Sequence, residues 1–206
     1  IYFIFSPLIF SIFIFLFSKF FKEKNNKIDK NVNNILIDTF VTSENLDNDR
    51  YYNKLGEKRL DNKKNIFFVP TILHLSLFKL PLLIKKIRSN QNFILKEDFI
   101  YFSDIIYALN YIFRKKKFYI NYPCYKKWNL SKLIHEELSG YANFQAILIS
   151  ILNYRFAKNL KNKNIKLKKV IDWFENTTVD KGWNLGFRKF FPNTITVGYQ
   201  SYTLYR

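Results

Sequence analysis

Five short stretches of the chain share one pattern, a short, mainly apolar run that ends in polar residues. They cover residues 34–39, 66–71, 93–98, 169–176 and 194–200. An apolar run without alternation marks a strand buried on both faces, and a polar ending marks the point where such a strand emerges at the edge of a parallel sheet. Between the strands the period changes to that of a helix. Residues 131–158 place Ile134, Leu138, Tyr141, Leu148 and Leu152 on one helical face, with Ser131 as N-cap and Glu136 and Glu137 in the positive first turns. A second helix is predicted over 179–191, where Thr177 and Asp180 have capping-box spacing and Pro192-Asn193 stops the run. Strands alternating with helices predict an α/β fold, Rossmann-like, with a mainly parallel sheet and helices on both faces.

A different kind of segment precedes this region. Residues 1–18 carry no charge and are dominated by Ile, Phe and Leu, which meets the length criterion for a membrane-spanning helix. Lys19, Lys22, Lys24, Lys27 and Lys30 follow at once, and the positive-inside rule then puts the rest of the chain on the cytoplasmic face of the inner membrane. Pro7 and the aromatic bias leave a buried or interface-lying segment open as the alternative. The expected organisation is a hydrophobic segment with a basic linker over 1–30 and one domain over 31–206.

Composition narrows the classes. Among 206 residues, 48% are hydrophobic and 19% aromatic, which excludes wholesale disorder because that much aromatic surface needs a core or a membrane. With one cysteine, Cys124, the chain has no internal disulfide framework, and a reducing cytoplasm fits. The 34 Lys+Arg against 16 Asp+Glu give a net charge of +18, a balance that suits anionic partners. Lys, Asn, Ile, Phe and Tyr are inflated together, however, as AT-rich codon usage alone would produce, and the lysines are scattered. Nucleic acid is therefore not an expected partner. The chain opens on Ile1 and has no Met, so a fragment of a longer protein is expected.

Ligands in open parallel sheets bind beyond the carboxyl ends of the strands. The polar residues at those ends are Asp38 and Thr39, Thr71 and His74, Glu97 and Asp98, Glu175 and Asn176, and Tyr199 and Gln200. Each has a plain alternative as a cap or loop residue that satisfies local backbone groups. General catalytic motifs are not found. His135-Glu136-Glu137 has Ser139 where a zinc HExxH motif needs its second His, and Gly182 and Gly186 lie outside any phosphate-binding pattern and suggest close helix packing.

The carboxyl-terminal stretch carries a resemblance. Glu175-Asn176, Asp180, Gly186-Phe187-Arg188, Phe191-Pro192 and Gly198-Tyr199-Gln200 resemble the pattern ENxxxDxxxxxGFRxxFPxxxxxGYQ of bacterial surface-carbohydrate (O-antigen and capsule) biosynthesis proteins, glycosyltransferases of the GT-B fold. Tyr51-Tyr52-Asn53-Lys54-Leu55 is similar to that family's YWGxL segment, with Tyr52 for Trp and Asn53 for Gly. The resemblance implies the amino-terminal, acceptor-side half of a two-domain enzyme, inactive without the half that binds the nucleotide-sugar, and needing neither a metal nor another cofactor. It implies a sugar transfer to a glycan or lipid-linked acceptor. That chemistry needs a base for the acceptor hydroxyl and a charge for the leaving phosphate. Glu175 is the first catalytic candidate and Asp98, with Glu97 beside it, the second. Asn176, Tyr199 and Gln200 are candidate acceptor ligands, and Arg188 is a candidate phosphate ligand, with a surface or dipole-compensating cation near the helix carboxyl end as the alternative. Two other classes stay open: a non-enzymatic membrane-anchored component of envelope assembly, and a cytoplasmic α/β enzyme of another kind.

Overall fold

The computed structural model describes residues 2–21, 28–41, 65–72, 76–114, 124–125, 128–132 and 144–199. At its centre is a sheet of four parallel strands in the order β2-β1-β5-β6, built from β1 (Asn34–Val41), β2 (Ile66–Ile72), β5 (Leu167–Trp173) and β6 (Ile195–Tyr199). Two short strands, β3 (Cys124–Tyr125) and β4 (Trp128–Asn129), form a separate antiparallel pair. The helices are α1 (Tyr2–Phe20), α2 (Leu80–Ser89), α3 (Phe102–Leu109), α4 (Tyr111–Arg114), α5 (Phe144–Asn162) and α6 (Thr178–Phe190). The expected parallel α/β architecture is what forms.

Side-chain alternation in the strands assigns the helices to faces. Leu36, Phe67, Val69 and Val170 point to one face and join Leu148, Phe156, Trp183 and Phe187 of α5 and α6 in the largest core. Val41 and Ile72 point to the other, where Leu80, Leu83, Ile84 and Ile87 of α2 and Ile14 of α1 cover them. The crossing of α5 and α6 is tight because Gly182 and Gly186 sit at it. A Cβ on Gly182 would overlap the backbone of Ser150, and one on Gly186 would come within 3.0 Å of the Ala157 Cβ. The two glycines thus serve close approach, as their spacing suggested.

One expected strand is corrected. Of residues 93–98, only Phe93 joins the sheet, through a single bridge to Phe68, and Lys96–Asp98 then coil into a 3-10 turn. The turn carries Lys96 inward and lets Asp98 take both terminal nitrogens of Arg88 at 2.6 Å, contacts that an extended chain would forgo. Of the expected 131–158 helix, residues 133–143 lie outside the described residues, and the observed α5 continues to Asn162.

The carboxyl-terminal half of α1 is built into this domain. Lys19 Nζ donates to the carbonyls of Glu97 (2.8 Å) and Ile100 (3.2 Å), and Arg88 Nη2 donates to the carbonyl of Ser18 (2.8 Å). Among the described residues no helix is long and apolar enough to cross a membrane.

Candidate functional site

The carboxyl ends of the strands hold two groups of polar residues, one inside the core and one at its rim. The inner group starts from a repeated local sequence. Leu36-Ile37-Asp38 in β1 and Val170-Ile171-Asp172 in β5 run in parallel register, Leu36 against Val170 and Ile37 against Ile171, so the next step sets Asp38 beside Asp172. Both side chains point to the face roofed by α5 and α6, and both are buried.

Burial is costly for a carboxylate, and the proton affinities reflect it. Burial first, then the neighbouring Asp172, pushes the Asp38 carboxyl up from 3.8 to about 8. Burial likewise raises Asp172 to about 7, opposed by the hydrogen bond that Asn184 Nδ2 donates to it at 2.6 Å and reinforced by Asp180. The counter-charge is Lys96. Its ammonium, driven down in pKa by burial and held up by Glu97 and Asp38, donates to Thr71 Oγ1 at 3.2 Å and Asn153 Oδ1 at 3.0 Å. The interior of the sheet thus holds two carboxyls with proton affinity raised toward neutrality, and a buried lysine that opposes the shift of Asp38. Among the described residues no three His, Cys, Asp or Glu side chains are grouped so as to hold a metal ion.

This inner group borders a cleft. Thr71, Lys96 and Glu97 supply its polar wall, and Phe10, Ile14 and Leu152 are among the apolar residues opposite. Glu97, buried there, has a carboxyl pKa raised by burial and lowered in part by Lys96. Because α1 supplies one wall, the hydrophobic segment lies against the end of β2, over part of the crevice in which a parallel sheet binds its ligands.

The outer group lies at the other end of the strand order. β5 and β6 are parallel neighbours with Trp173 opposite Tyr199, and their rings pack with centroids 5.5 Å apart. The chain leaves β5 through Phe174 and reaches Glu175, whose Oε1 accepts a 2.7 Å hydrogen bond from the Trp173 indole N–H. Asn176 then takes a left-handed conformation with φ of 59°, which turns the chain into α6. Asp180 Oδ2 accepts from the backbone N–H groups of Thr177 (2.8 Å) and Glu175 (3.0 Å), so the capping carboxylate also fixes the Glu175 backbone. Glu175 and Asn176 are exposed and Tyr199 is half-buried.

The structure therefore brings Glu175, Asn176 and Tyr199 to one rim, while Gln200, His74 and residues 51–55 lie outside the described residues. The other candidates are elsewhere. Glu97 and Asp98 lie beyond β2, three strand positions from β5 and hence about 14 Å away across the sheet. Asp98 is also occupied by Arg88. Arg188 is exposed near the far end of α6, which starts beside Glu175 and carries it about 15 Å along the helix axis. Comparison with known protein families, with curated proteins and with solved structures yields no match to this chain.

Reasoning from strand ends singled out Asp38 only as one of many and passed over Asp172, Lys96 and Asn153. A signal for the two aspartates was available. An acidic residue inside a run that otherwise reads as a strand buried on both faces must itself be buried, and ILID and KVID repeat that arrangement in two strands.

Proposed function

We propose that the chain is the acceptor-side domain of a glycosyltransferase-like protein of cell-surface polysaccharide biosynthesis, placed at the cytoplasmic face of the inner membrane. Its reaction is transfer of a sugar from a nucleotide-sugar to a glycan or lipid-linked acceptor. The observation that supports this reading best is the rim of β5 and β6, where an exposed carboxylate, oriented by an indole, stands beside an amide and a tyrosine. A sugar hydroxyl meets there the three kinds of group that orient it: a carboxylate acceptor, an amide and a phenol. The segments of the GT-B resemblance run through the same residues.

In this reading Glu175 takes the proton of the acceptor hydroxyl as its oxygen bonds to the anomeric carbon. The bond to the nucleoside diphosphate breaks, and the leaving group departs with the electron pair. The Trp173 N–H holds one carboxylate oxygen, leaving the other for the acceptor. Asn176 and Tyr199 orient the acceptor. The donor phosphates are held by the partner half of the enzyme, since Arg188 is remote from the rim.

The test is release of nucleoside diphosphate from a panel of nucleotide-sugars by the full-length protein, with and without lipid-linked and glycan acceptors. Glu175→Gln is expected to lower acceptor-dependent release by about two to four orders of magnitude, the usual worth of a general base, with the fold intact. A full-length protein that releases nothing from any donor would reject the transferase in favour of a non-enzymatic assembly role. Wild-type turnover in the Gln variant would remove Glu175 from the chemistry.

A further inference from the structure

The apolar residues of α1 divide into two rows. Phe10, Ile14, Phe17 and Phe21 join the core that α2 builds with Leu80, Leu83, Ile84 and Ile87. Ile9, Phe13, Leu16 and Phe20, spaced four, three and four apart, form a second row turned about 100° around the helix and are exposed, Phe20 to 80% and Leu16 to 53%. The amino-terminal end of α2 adds Phe78, 92% exposed, and Leu82, 73% exposed. Large apolar side chains exposed on two helices whose inner faces share one core are costly in water and mark a surface meant to be covered.

What covers it follows from charge. Lys79, the N-cap of α2, and Lys85 and Lys86 within it, one turn either side of Leu82, are exposed, and the chain as a whole carries +18. Two copies meeting through the patch would bring these lysines together, at a cost, whereas an anionic headgroup layer accepts apolar side chains and neutralises lysines at once. We propose that α1 and the start of α2 form a monotopic docking surface that lies in the interface of an anionic bilayer without crossing it. The inner row of α1 and its terminal carbonyl are committed to the domain through Ile14 and the bond from Arg88 to Ser18, so the helix lies along the domain surface. This deepens the membrane placement proposed above and is independent of the transferase reading.

Flotation of the full chain with vesicles of equal phosphatidylglycerol and phosphatidylcholine, and with phosphatidylcholine alone, tests the surface. Strong binding to the first and weak binding to the second is expected. The triple variant Phe13→Gln, Leu16→Gln, Phe20→Gln should partition at least about tenfold more weakly, given the apolar area it removes. The pair Phe78→Ser, Leu82→Ser, at positions nearly free of packing, should weaken partitioning in the same direction and guards against misfolding of α1. Changing Lys79, Lys85 and Lys86 to Gln should cost about fivefold per charge on anionic vesicles. Wild-type failure to bind anionic vesicles would overturn the surface and the membrane placement together. Binding that survives both apolar variants would overturn the surface alone. Resistance to alkaline extraction would replace it with a span, and a lipid-free dimer lost in the variants, without vesicle binding, would replace the bilayer with a second copy.

Discussion

The interior of the sheet and its rim both hold carboxylates, yet the two regions divide between them what a catalytic acid or base needs. Asp38 and Asp172 have proton affinities brought close to neutrality, with values of about 8 and about 7, but they are sealed under α5 and α6. Glu175 is open to solvent and oriented by Trp173, just past the end of β5, the strand next to the one that carries Asp38. Perturbation follows from burial and access from its opposite, so a strongly shifted pKa is no index of a site without a path to it. Lys96 qualifies the contrast, because it belongs to both the inner group and the wall of the α1 cleft.

The largest effect should come from breaking the roof. Gly182→Ala puts a methyl group onto the Ser150 backbone, where neither helix can retreat without unpacking Trp183 and Phe156. Overpacking ordinarily costs about 1–3 kcal/mol, and a clash with backbone more, so a drop in thermal midpoint beyond about 10 °C or loss of cooperative unfolding is expected. Gly186→Ala, facing the Ala157 Cβ at 3.0 Å, should stay nearer the low end of that range. Equal stability of the two variants in chemical denaturation would show that the roof yields, and the interior could then not be as closed as Asp38 requires.

Next comes the pH dependence of the interior. Asp38 keeps its proton to about pH 8 when folded and to 3.8 when unfolded, so the folded chain binds more protons between these values. Stability therefore falls as pH rises through that window and levels off above it, and Asp172 adds the same sign up to about 7. Lys96, with its ammonium pKa lowered, contributes the opposite slope at higher pH, below 10.5. Asp38→Asn preserves shape and removes one titration. Denaturation from pH 4 to pH 9 should show the variant gaining on the parent chain by several kcal/mol over the window. Parallel curves would mean that Asp38 ionises in the folded state much as it does in water.

Asp180 connects the two regions and should give an intermediate effect. Its carboxylate caps α6 through Thr177 and Glu175, and its charge raises both Asp38 and Asp172. Asp180→Asn should cost about 1 kcal/mol of stability as the cap weakens, and should shift the upper end of the pH-dependent decline downward, because ionised Asp38 and Asp172 become less costly once the neighbouring negative charge is gone. The sign is fixed by linkage: removing a nearby negative charge lowers the folded pKa of Asp38 and Asp172, which narrows the window of decline from its upper end. The upper limit of the decline, read from denaturation at closely spaced pH values, should thus move down, and the net shift expected is downward. No movement would uncouple the rim from the interior.

How much of this was legible in sequence follows from physics at particular residues. The four strands and α6 were readable because each is a local pattern: apolar runs such as residues 66–71, and the Thr177-to-Asp180 cap. Lys96 was not, because nothing local distinguishes a lysine that turns inward toward Thr71 and Asn153, 25 and 57 residues away in the chain, from one that points to water. Arg188 shows the converse, because the helical pattern itself places it near the carboxyl end of α6, where a surface cation compensates the dipole, and the helix carries it away from Glu175.

The smallest effect belongs to the rim. Glu175 is exposed, and its side chain accepts from an indole N–H that a neutral amide oxygen also satisfies, so Glu175→Gln should alter the thermal midpoint by no more than a degree or two. Trp173→Phe sharpens the point. It keeps an aromatic ring on the Tyr199 side and deletes the N–H that orients the carboxylate, with a smaller ring left in the buried cluster of Ile37 and Ile66. If the carboxylate works as the acceptor's base, this variant should lower acceptor-dependent turnover by about tenfold through misorientation while the folded fraction is unchanged, and Glu175→Gln on top of it should add less than it does alone. Additive losses in the double variant would show that the indole and the carboxylate act separately, and the rim would then be a folding device like the cap beside it.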